Sequence, residues 1–288
     1  MKSINKPSLG IKDFYPQLCK QMKETNKLKA KFQRLYSKMI LEERRLATFA
    51  TSLRAHQYIP TDYNIGELLS KPEAEELFEK FKRSSAAKYV KRELLETINT
   101  RKCVYCEKRG GGDSLDHILP KSVYTFLSVT PTNLVACCSQ CNSKKNDYIE
   151  GIVHSYFESF NQYNFIKCNV KVLTINGELS LNVNYVFDSF GVTEYERDLS
   201  SRLEKMVKRL NLLKRYEDDC IEYIVERLEA WQTDSKNGQK ELLYQLNKDM
   251  SSAQNSYSAN SFIISFYRSF IESINLGNIT VNDIISLK

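Results

Sequence analysis

The chain has 288 residues, of which 42% are hydrophobic and 27% charged, and its formal net charge is +7. This length suits one large domain or two to three small ones, and 14 Phe and 17 Tyr suffice to bury a core. No apolar run approaches the ~20 residues of a membrane span, and no leader with a basic start and an apolar middle is present. We therefore expect a cytoplasmic protein that does not associate with a membrane.

The positive charge is concentrated in the first third of the chain. Residues 1–100 carry 20 Lys and Arg against 12 Asp and Glu, whereas the net charge is +2 over residues 101–150 and −3 over residues 151–288. This asymmetry points to a polyanionic partner, and nucleic acid is the commonest one.

Residues 17–99 are predicted to be mostly helical, after a short flexible lead-in. Residues 18–46 lack Gly and Pro and are rich in strong helix formers. Apolar residues at helical spacing predict a buried stripe, and a basic residue precedes each of them. That basic row is either a contact for a phosphate backbone or a solvated helix face. The stripe is Leu28, Phe32, Leu35 and Met39, and the basic row is Lys27, Lys31, Arg34 and Lys38.

Two further signals give helix boundaries in this region. Ser70 is a candidate N-cap with Glu73 as its capping-box partner, and residues 86–98 form a further helix that leads into a cysteine-rich segment. Beyond that segment, Asn176-Gly177 separates two runs of alternating apolar and polar residues, which predicts a β-hairpin.

Helix returns from about Glu194, with a break near Asn211 and a turn at residues 235–239. A leucine-rich stripe along it is typical of packing within the chain, although a coiled-coil dimer seam stays open. A last amphipathic helix, residues 260–274, carries an aromatic stripe that we interpret as core, with a partner-binding face as the alternative.

Four of the eight cysteines form two C-x2-C pairs, and the other four are scattered. In a chain without a secretion signal, pairs at this spacing favour zinc over disulfides, because each tight turn presents two thiolates to one tetrahedral ion. The scattered cysteines are best explained as small buried side chains. Cys137 could replace Cys138, but the spacing to Cys141 favours Cys138. The predicted ligands are Cys103, Cys106, Cys138 and Cys141.

Between the pairs, "SLDHILPKS" places Asp116 beside His117. A hard divalent cation prefers oxygen ligands, which Asp116 and the amide of Asn142 can supply, and a neutral imidazole at His117 can take a proton from an attacking water. Side chains of neighbouring strand residues point to opposite faces. A single site therefore requires the strand to bend or end here, and Pro120 fits a strand that ends.

C-V-Y-C, L-D-H-I-L-P-K-S and N-L-V-A-C-C-S-Q-C-N-S-K-K, in this order, resemble the zinc-bearing subtype of the HNH endonuclease family. The resemblance covers about residues 101–148 and implies a ββα-metal fold with one catalytic metal ion, Mg2+ or Mn2+. It implies that Asp116 is the first metal ligand, His117 the general base, Asn133 the residue that fixes the loop and orients the histidine, and Asn142 the second metal ligand. The chain thus has the H-N-N variant of the motif, and Lys121 and Lys145 are expected to contact phosphate.

These observations predict an α+β, mostly α-helical protein with a β-hairpin after a central zinc-clamped ββα-metal module. The regions are a basic helical region at 1–100, the nuclease module at 101–150, and a hairpin with a helical C-terminal part at 151–288. The expected activity is metal-dependent hydrolysis of phosphodiester bonds in DNA, with RNA left open as a substrate.

The alternative from another class is a non-catalytic, zinc-dependent adaptor that binds nucleic acid through the basic helices. HNH proteins with helical flanks also occur in bacterial and phage conflict systems, for example with an ATPase subunit as in Septu-type defence. The resemblance therefore points to a protein partner such as an ATPase subunit, with a homo-oligomer as a further alternative. The acidic C-terminal part is the expected surface for such a partner, because its charge repels DNA.

Overall fold

The computed structural model describes residues 1–52, 57, 68–96, 102–108, 111–112 and 114–288. It is mostly helical, with two small antiparallel sheets of two strands each in the part of the chain that is described. The predicted α+β fold class is therefore confirmed. Among these residues, no helix has both the length and the apolar character needed to cross a lipid bilayer.

Two compact units make up the chain. The first consists of residues 2–160, and the second consists of residues 161–288 together with Met1. The predicted basic helical region and the nuclease module both fall in the first unit. The functional division into three regions stays a prediction.

The described residues at the start of the first unit form four helices: α1 (Ile11–Lys20), α2 (Lys29–Thr51), α3 (Lys71–Arg83) and α4 (Lys88–Glu96). Phe32, Leu35 and Met39 are buried as predicted, and Leu28 is half-buried. Their core also includes Phe126, Val129 and Leu134 from the cysteine-rich segment, so the helices share one core with that segment.

The helix formers of residues 18–46 do not make one continuous helix, because the chain turns between α1 and α2. Asn26 causes the turn: its Oδ1 accepts a hydrogen bond from the Leu28 amide at 2.8 Å, and its Nδ2 donates to Glu76 at 3.0 Å. A short polar side chain that bonds to its own backbone competes with helix in this way. At α3, by contrast, the Glu73 carboxylate accepts from the Ser70 amide at 2.8 Å, which confirms the predicted capping box.

The predicted flexible lead-in is wrong, since the first residues are hydrogen-bonded to the cysteine-rich segment and to the stretch that follows it. The Lys2 amide donates to the Val104 carbonyl at 3.2 Å, and the Ile4 amide donates to the Ser155 carbonyl at 2.8 Å. Beyond these residues, α1 starts at Ile11, and its Pro16 lies inside the helix. The polar composition of this stretch gave no sign of these long-range bonds.

The predicted nuclease module has the order strand, strand, helix. Strand β1 (Ser114–His117) pairs antiparallel with β2 (Leu134–Cys137), with Asp116 opposite Val135. Two short 3-10 turns, Thr125–Leu127 and Pro131–Asn133, lie between the strands, and helix α5 (Ser139–Lys145) follows β2 directly. The strand ends at His117, as the position of Pro120 predicts.

The second unit is built on the predicted hairpin of β3 (Ile166–Ile175) and β4 (Glu178–Phe187). Five helices follow: α6 (Glu194–Arg209), α7 (Leu212–Lys236), α8 (Gln239–Gln254), α9 (Phe262–Asn275) and α10 (Val281–Ile285). Helix α9 packs on β3, and α7 packs on β4.

The aromatic stripe of α9 is core, as predicted. Trp231, on α7, is buried against Phe266 and Phe270 of α9, with ring centroids 5.8 and 5.3 Å apart. The break predicted near Asn211 is present, because that residue is left-handed with φ 51° between α6 and α7. The buried stripe therefore changes phase there: Leu212 is buried, whereas Leu213 is half-buried. The stripe residues of α6 are buried within the unit.

We expect Gly177→Ala to destabilise the second unit by about 1 kcal/mol, because alanine is strained in the left-handed region. Gly177 has φ 83°, and a Cβ there would meet no neighbouring atom, so the cost lies in the backbone alone. Urea unfolding followed by the fluorescence of Trp231, the only tryptophan, measures it. Asn176→Gly removes a side chain at φ 52° and should change stability by less than about 0.5 kcal/mol. Equal stabilities for the Gly177→Ala variant and the wild type would contradict this account.

Candidate active site and metal centre

The sulfur atoms of Cys103, Cys106, Cys138 and Cys141 converge in the first unit. All four side chains are buried, and their Sγ atoms lie within 4.8 Å of one another. Cys138 caps α5 and accepts a hydrogen bond from the Cys141 amide at 3.3 Å, so the helix start places both sulfurs on one side. Cys137 is not a member of this cluster, which supports Cys138 as the predicted ligand.

The cluster fits a tetrahedral zinc ion. With Zn–S bonds of about 2.3 Å, the sulfurs of such a site stand about 3.8 Å apart, and Cys106 Sγ lies 3.8 Å from Cys138 Sγ. Burial raises the pKa of Cys103 well above its usual value, whereas hydrogen bonding to Cys103 lowers the pKa of Cys106 to about 7. Four thiolates this close need a cation to be ionised together.

Asp116 is buried on the face of β1 that is turned toward α5. Its Oδ2 accepts a hydrogen bond from the Tyr105 hydroxyl at 2.6 Å, and Lys145 Nζ lies 3.1 Å from the same oxygen. Within the described part of the chain, both contacts therefore fall on Oδ2. Asp116 Oδ1 remains as the oxygen that could bind a cation.

Asn142 lies on the same side of β1 as Asp116. Its Nδ2 donates to the Ser114 Oγ at 2.9 Å, so its Oδ1 is directed elsewhere as an acceptor. Asn142 and Lys145 are three residues apart on α5, and they contact Ser114 and Asp116, which are two residues apart on one face of β1. The donor set at this face, a carboxylate and an amide oxygen, suits Mg2+ or Mn2+.

Lys145 has partners that the sequence did not suggest. Its side chain is 1% exposed, and Nζ donates to the His117 carbonyl at 2.6 Å in addition to its ion pair with Asp116. In this arrangement the ammonium is directed inward. The predicted phosphate contact of Lys145 would require it to leave this buried pair.

His117 lies on the opposite face of β1, in contact with the helical core. Its ring packs edge-on against Phe78 of α3 with centroids 4.5 Å apart, and its Nε2 lies 2.7 Å from the Ser128 carbonyl oxygen. A carbonyl can only accept, so Nε2 carries the proton and Nδ1 carries the lone pair. The ring is thus fixed as one tautomer.

Burial lowers the pKa of His117 to about 3. The hydrogen bond to Ser128 opposes this shift, and the positive charges of Lys121, Lys145 and Lys82 add to it. The imidazole is therefore neutral at pH 7. Sequence reasoning missed Lys82, because its position near His117 depends on how α3 packs against the module.

Asn133 ties together the loop between the two strands. Its Oδ1 accepts from the Leu119 amide at 2.8 Å, and its Nδ2 donates to the carbonyls of Leu119 and Leu127 at 2.9 and 3.2 Å. Leu127 precedes Ser128, whose carbonyl holds His117. Asn133 thus fixes the turn next to Ser128, and its predicted role in orienting the histidine stays a prediction.

The basic row of α2 is less uniform than the sequence suggests. Lys27 and Arg34 are exposed, whereas Lys31 Nζ donates to both carboxylate oxygens of Glu73 on α3, at 2.6 and 2.7 Å. Lys38 is half-buried, and Lys27 precedes the first residue of the helix. Lys31 is therefore partly neutralised within the first unit.

His154 lies outside this site. His154 is fully buried, and its ring packs against Phe157 with centroids 4.8 Å apart, which supports a structural role. His56 lies outside the described residues. Two further contacts of the site, Tyr105 and Phe78, have no sequence signal apart from their aromatic character.

Residues 103–148 match the family model of the HNH endonucleases. A segment of 64 residues is 44% identical to the Septu protein PtuB of Bacillus thuringiensis. The matched segment covers 21% of this chain and 24% of that protein. A segment of 114 residues is 31% identical to protein ea31 of Escherichia phage lambda, which covers 36% of this chain and 38% of that protein. The chain thus spans about a quarter and somewhat over a third of these relatives, and no solved structure matches it.

We expect Cys138→Ser to lose the zinc ion and Cys137→Ala to keep it, although the two residues are neighbours and both are buried. Only Cys138 has its sulfur in the cluster. Metal analysis of the purified proteins should give about one zinc per chain for the wild type and for Cys137→Ala. Full zinc content in Cys138→Ser would show that the cluster is not the zinc site.

Proposed function

We propose that the HNH endonuclease domain at residues 103–148 makes this chain a metal-dependent nuclease that hydrolyses phosphodiester bonds in DNA, with RNA as an open alternative substrate. The observation that carries the proposal is the state of His117. A neutral imidazole, fixed through Nε2 by the Ser128 carbonyl, follows directly after a buried aspartate at the end of a strand. That arrangement suits a general base beside a metal ligand.

In the proposed site, Asp116 and Asn142 hold one divalent cation, Mg2+ or Mn2+. When bound, such an ion acts as a Lewis acid that offsets charge on the phosphate and on the leaving oxygen. The four cysteines hold a structural zinc that keeps β1, β2 and α5 together. The first unit as a whole then positions the two side chains.

His117 acts as the general base of the proposed reaction. Its Nδ1 lone pair takes a proton from the attacking water, and the Ser128 carbonyl stabilises the imidazolium that forms, since Nε2–H donates to it. Asn133 supports this step indirectly, because it fixes the carbonyl of Leu127 and with it the turn that presents Ser128. Phe78 limits the motion of the ring.

Positive side chains near the site supply the proposed substrate contacts. Lys121 and Lys82 both act on His117 electrostatically and stand on different segments, the loop after β1 and helix α3. Lys27 and Arg34 extend the basic surface along α2, with Lys31 and Lys38 contributing less because of their burial and partners. Contacts of this kind bind phosphates without reading sequence.

The likeness to PtuB supports a bacterial defence context. We propose that the chain is the nuclease component of such a system and acts with a protein partner such as an ATPase subunit. The acidic second unit is the better candidate for this contact, because its net negative charge repels nucleic acid. A homo-oligomer is compatible with the same proposal.

The competing function is a zinc-dependent adaptor that binds nucleic acid without cleaving it. The exposed Lys27 and Arg34 would serve it equally well. It assigns no task to the fixed tautomer of His117, and this favours the nuclease.

We expect His117→Ala to lower the rate of plasmid nicking by at least about 100-fold in Mg2+ or Mn2+, because loss of a general base costs about 10²–10⁴ in rate. EDTA should abolish nicking by the wild type. Binding of the same DNA, measured by fluorescence anisotropy in Ca2+, should change little. Undiminished nicking in the variant would remove His117 from the mechanism.

His154→Gln is the matched control, because it also replaces a buried histidine whose pKa burial lowers to about 3. Zinc content and thermal unfolding are compared for all three proteins, so that misfolding is recognised. A folded, zinc-loaded wild type that binds DNA but does not nick it would favour the adaptor.

Arg34→Ala should weaken DNA binding and reduce the slope of log K against log salt by about 1, as expected for one lost phosphate contact. Anisotropy titrations between about 50 and 200 mM salt provide the slope. Lys240→Ala is the control, since it removes an exposed lysine from the second unit. Equal slopes for the Arg34→Ala variant and the wild type would place α2 outside the DNA interface.

A further inference from the structure

Tyr105 lies inside the first cysteine turn, between Cys103 and Cys106, and is 2% exposed. The turn is fixed by the Val104 amide, which donates to the Ala136 carbonyl of β2 at 3.1 Å, and by the Glu107 amide, which donates to the Cys103 carbonyl at 2.8 Å. The two cysteines that bracket Tyr105 belong to the four-sulfur cluster. The position of its ring is therefore set by that cluster.

The Tyr105 hydroxyl reaches Asp116 rather than a backbone group. It donates to Asp116 Oδ2 at 2.6 Å, and both side chains are buried. The carboxylate oxygen can only accept, so the hydroxyl is the donor of this bond. A phenylalanine would fill the same space, and a buried hydroxyl is costly unless it is bonded. The hydrogen bond to Asp116 thus accounts for a tyrosine, and not a phenylalanine, at this buried position.

Both donors to Asp116 come from segments that contain cysteines of the cluster. Tyr105 is within the first cysteine turn, and Lys145 follows Cys141 on the same short helix. Both bind Oδ2, so the carboxylate cannot rotate without breaking two contacts. The direction in which the other oxygen, Oδ1, points is therefore fixed.

We propose that Tyr105 is a positioning residue that connects the zinc cluster to the divalent-cation site, by holding the Asp116 carboxylate so that Oδ1 faces the cation. The inference rests on the proposed function, because it takes Asp116 as a ligand of that cation. Hydrogen bonds that orient metal ligands are typically worth about 10–100-fold in metal affinity. Through this hydrogen bond, a well-ordered cysteine cluster keeps the Asp116 carboxylate in a fixed orientation.

The test is the affinity of the zinc-loaded full-length protein for Mn2+, followed by the EPR signal of free Mn2+. Tyr105→Phe should bind Mn2+ about 10-fold more weakly than the wild type. The Mn2+ concentration for half-maximal nicking should rise by the same factor, while the rate at saturating Mn2+ recovers. Zinc content should stay at that of the wild type.

Tyr156→Phe is the matched control, since it removes a tyrosine hydroxyl that donates to the Leu134 carbonyl of β2 in the same unit. Its Mn2+ affinity should equal that of the wild type. Asp116→Asn should abolish the site, and unchanged Mn2+ binding in that variant would overturn the proposed cation site itself.

If Asp116→Asn loses the site but Tyr105→Phe binds Mn2+ as tightly as the wild type, the role of Tyr105 is overturned and the proposed function stands. Loss of zinc from Tyr105→Phe, with Tyr156→Phe retaining it, would also overturn the inference. The hydroxyl would then serve the fold of the cluster and not the orientation of Asp116.

Discussion

The convergence of four cysteine sulfurs is the constraint on which the nuclease module depends. Two strands of four residues and a helix of seven cannot bury enough surface to hold a fixed geometry alone. The cluster joins the turn before β1 to the start of α5, so both ends of the module are fixed at one point. From the other side, the helices of the first unit share their core with Phe126, Val129 and Leu134. The module is held from both sides.

Because β1 alternates its side chains, the two neighbouring residues at its end are supported by different parts of the molecule. Asp116 is held by Tyr105 and Lys145, on the side of the cysteine cluster. His117 is held by Phe78 and by the turn that Asn133 stabilises, on the side of the helical core. The side chains of these two neighbouring residues are thus supported from opposite sides at the end of a strand of four residues. This division explains why the module is embedded in a helical unit.

Local sequence chemistry predicted much of this structure. The cysteine spacing indicated the cluster, Asn176-Gly177 indicated the hairpin, and Asn211 indicated the helix break, because each signal depends on residues close in the chain. The turn at Asn26 was not predicted, because the strong helix formers on both sides of this single asparagine favour a helix. Contacts between segments distant in the chain could not be predicted from the sequence.

The inward direction of the Lys145 side chain is one feature that depends on contacts between distant segments. The residue stands at a position where a basic side chain was expected to meet substrate, and only the packing of α5 on β1 shows its actual partners. The basic row of α2 was likewise predicted as a row, but the pairing of Lys31 with Glu73 depends on how two helices meet. Charge patterns in sequence report which groups are present, whereas their pairing is decided by tertiary structure.

The ion pair between Asp116 and Lys145 has a consequence for the order of assembly. A lone carboxylate is costly to bury, but here the ammonium neutralises it inside the protein itself. If the cysteine cluster holds zinc and Asp116 holds the divalent cation, as proposed, the module can fold around zinc before a cation binds at Asp116. A cation that binds later meets the positive charge of Lys145, which lowers its affinity for Asp116. In the proposed two-metal arrangement, folding of the module and loading of the divalent-cation site are therefore two separate events.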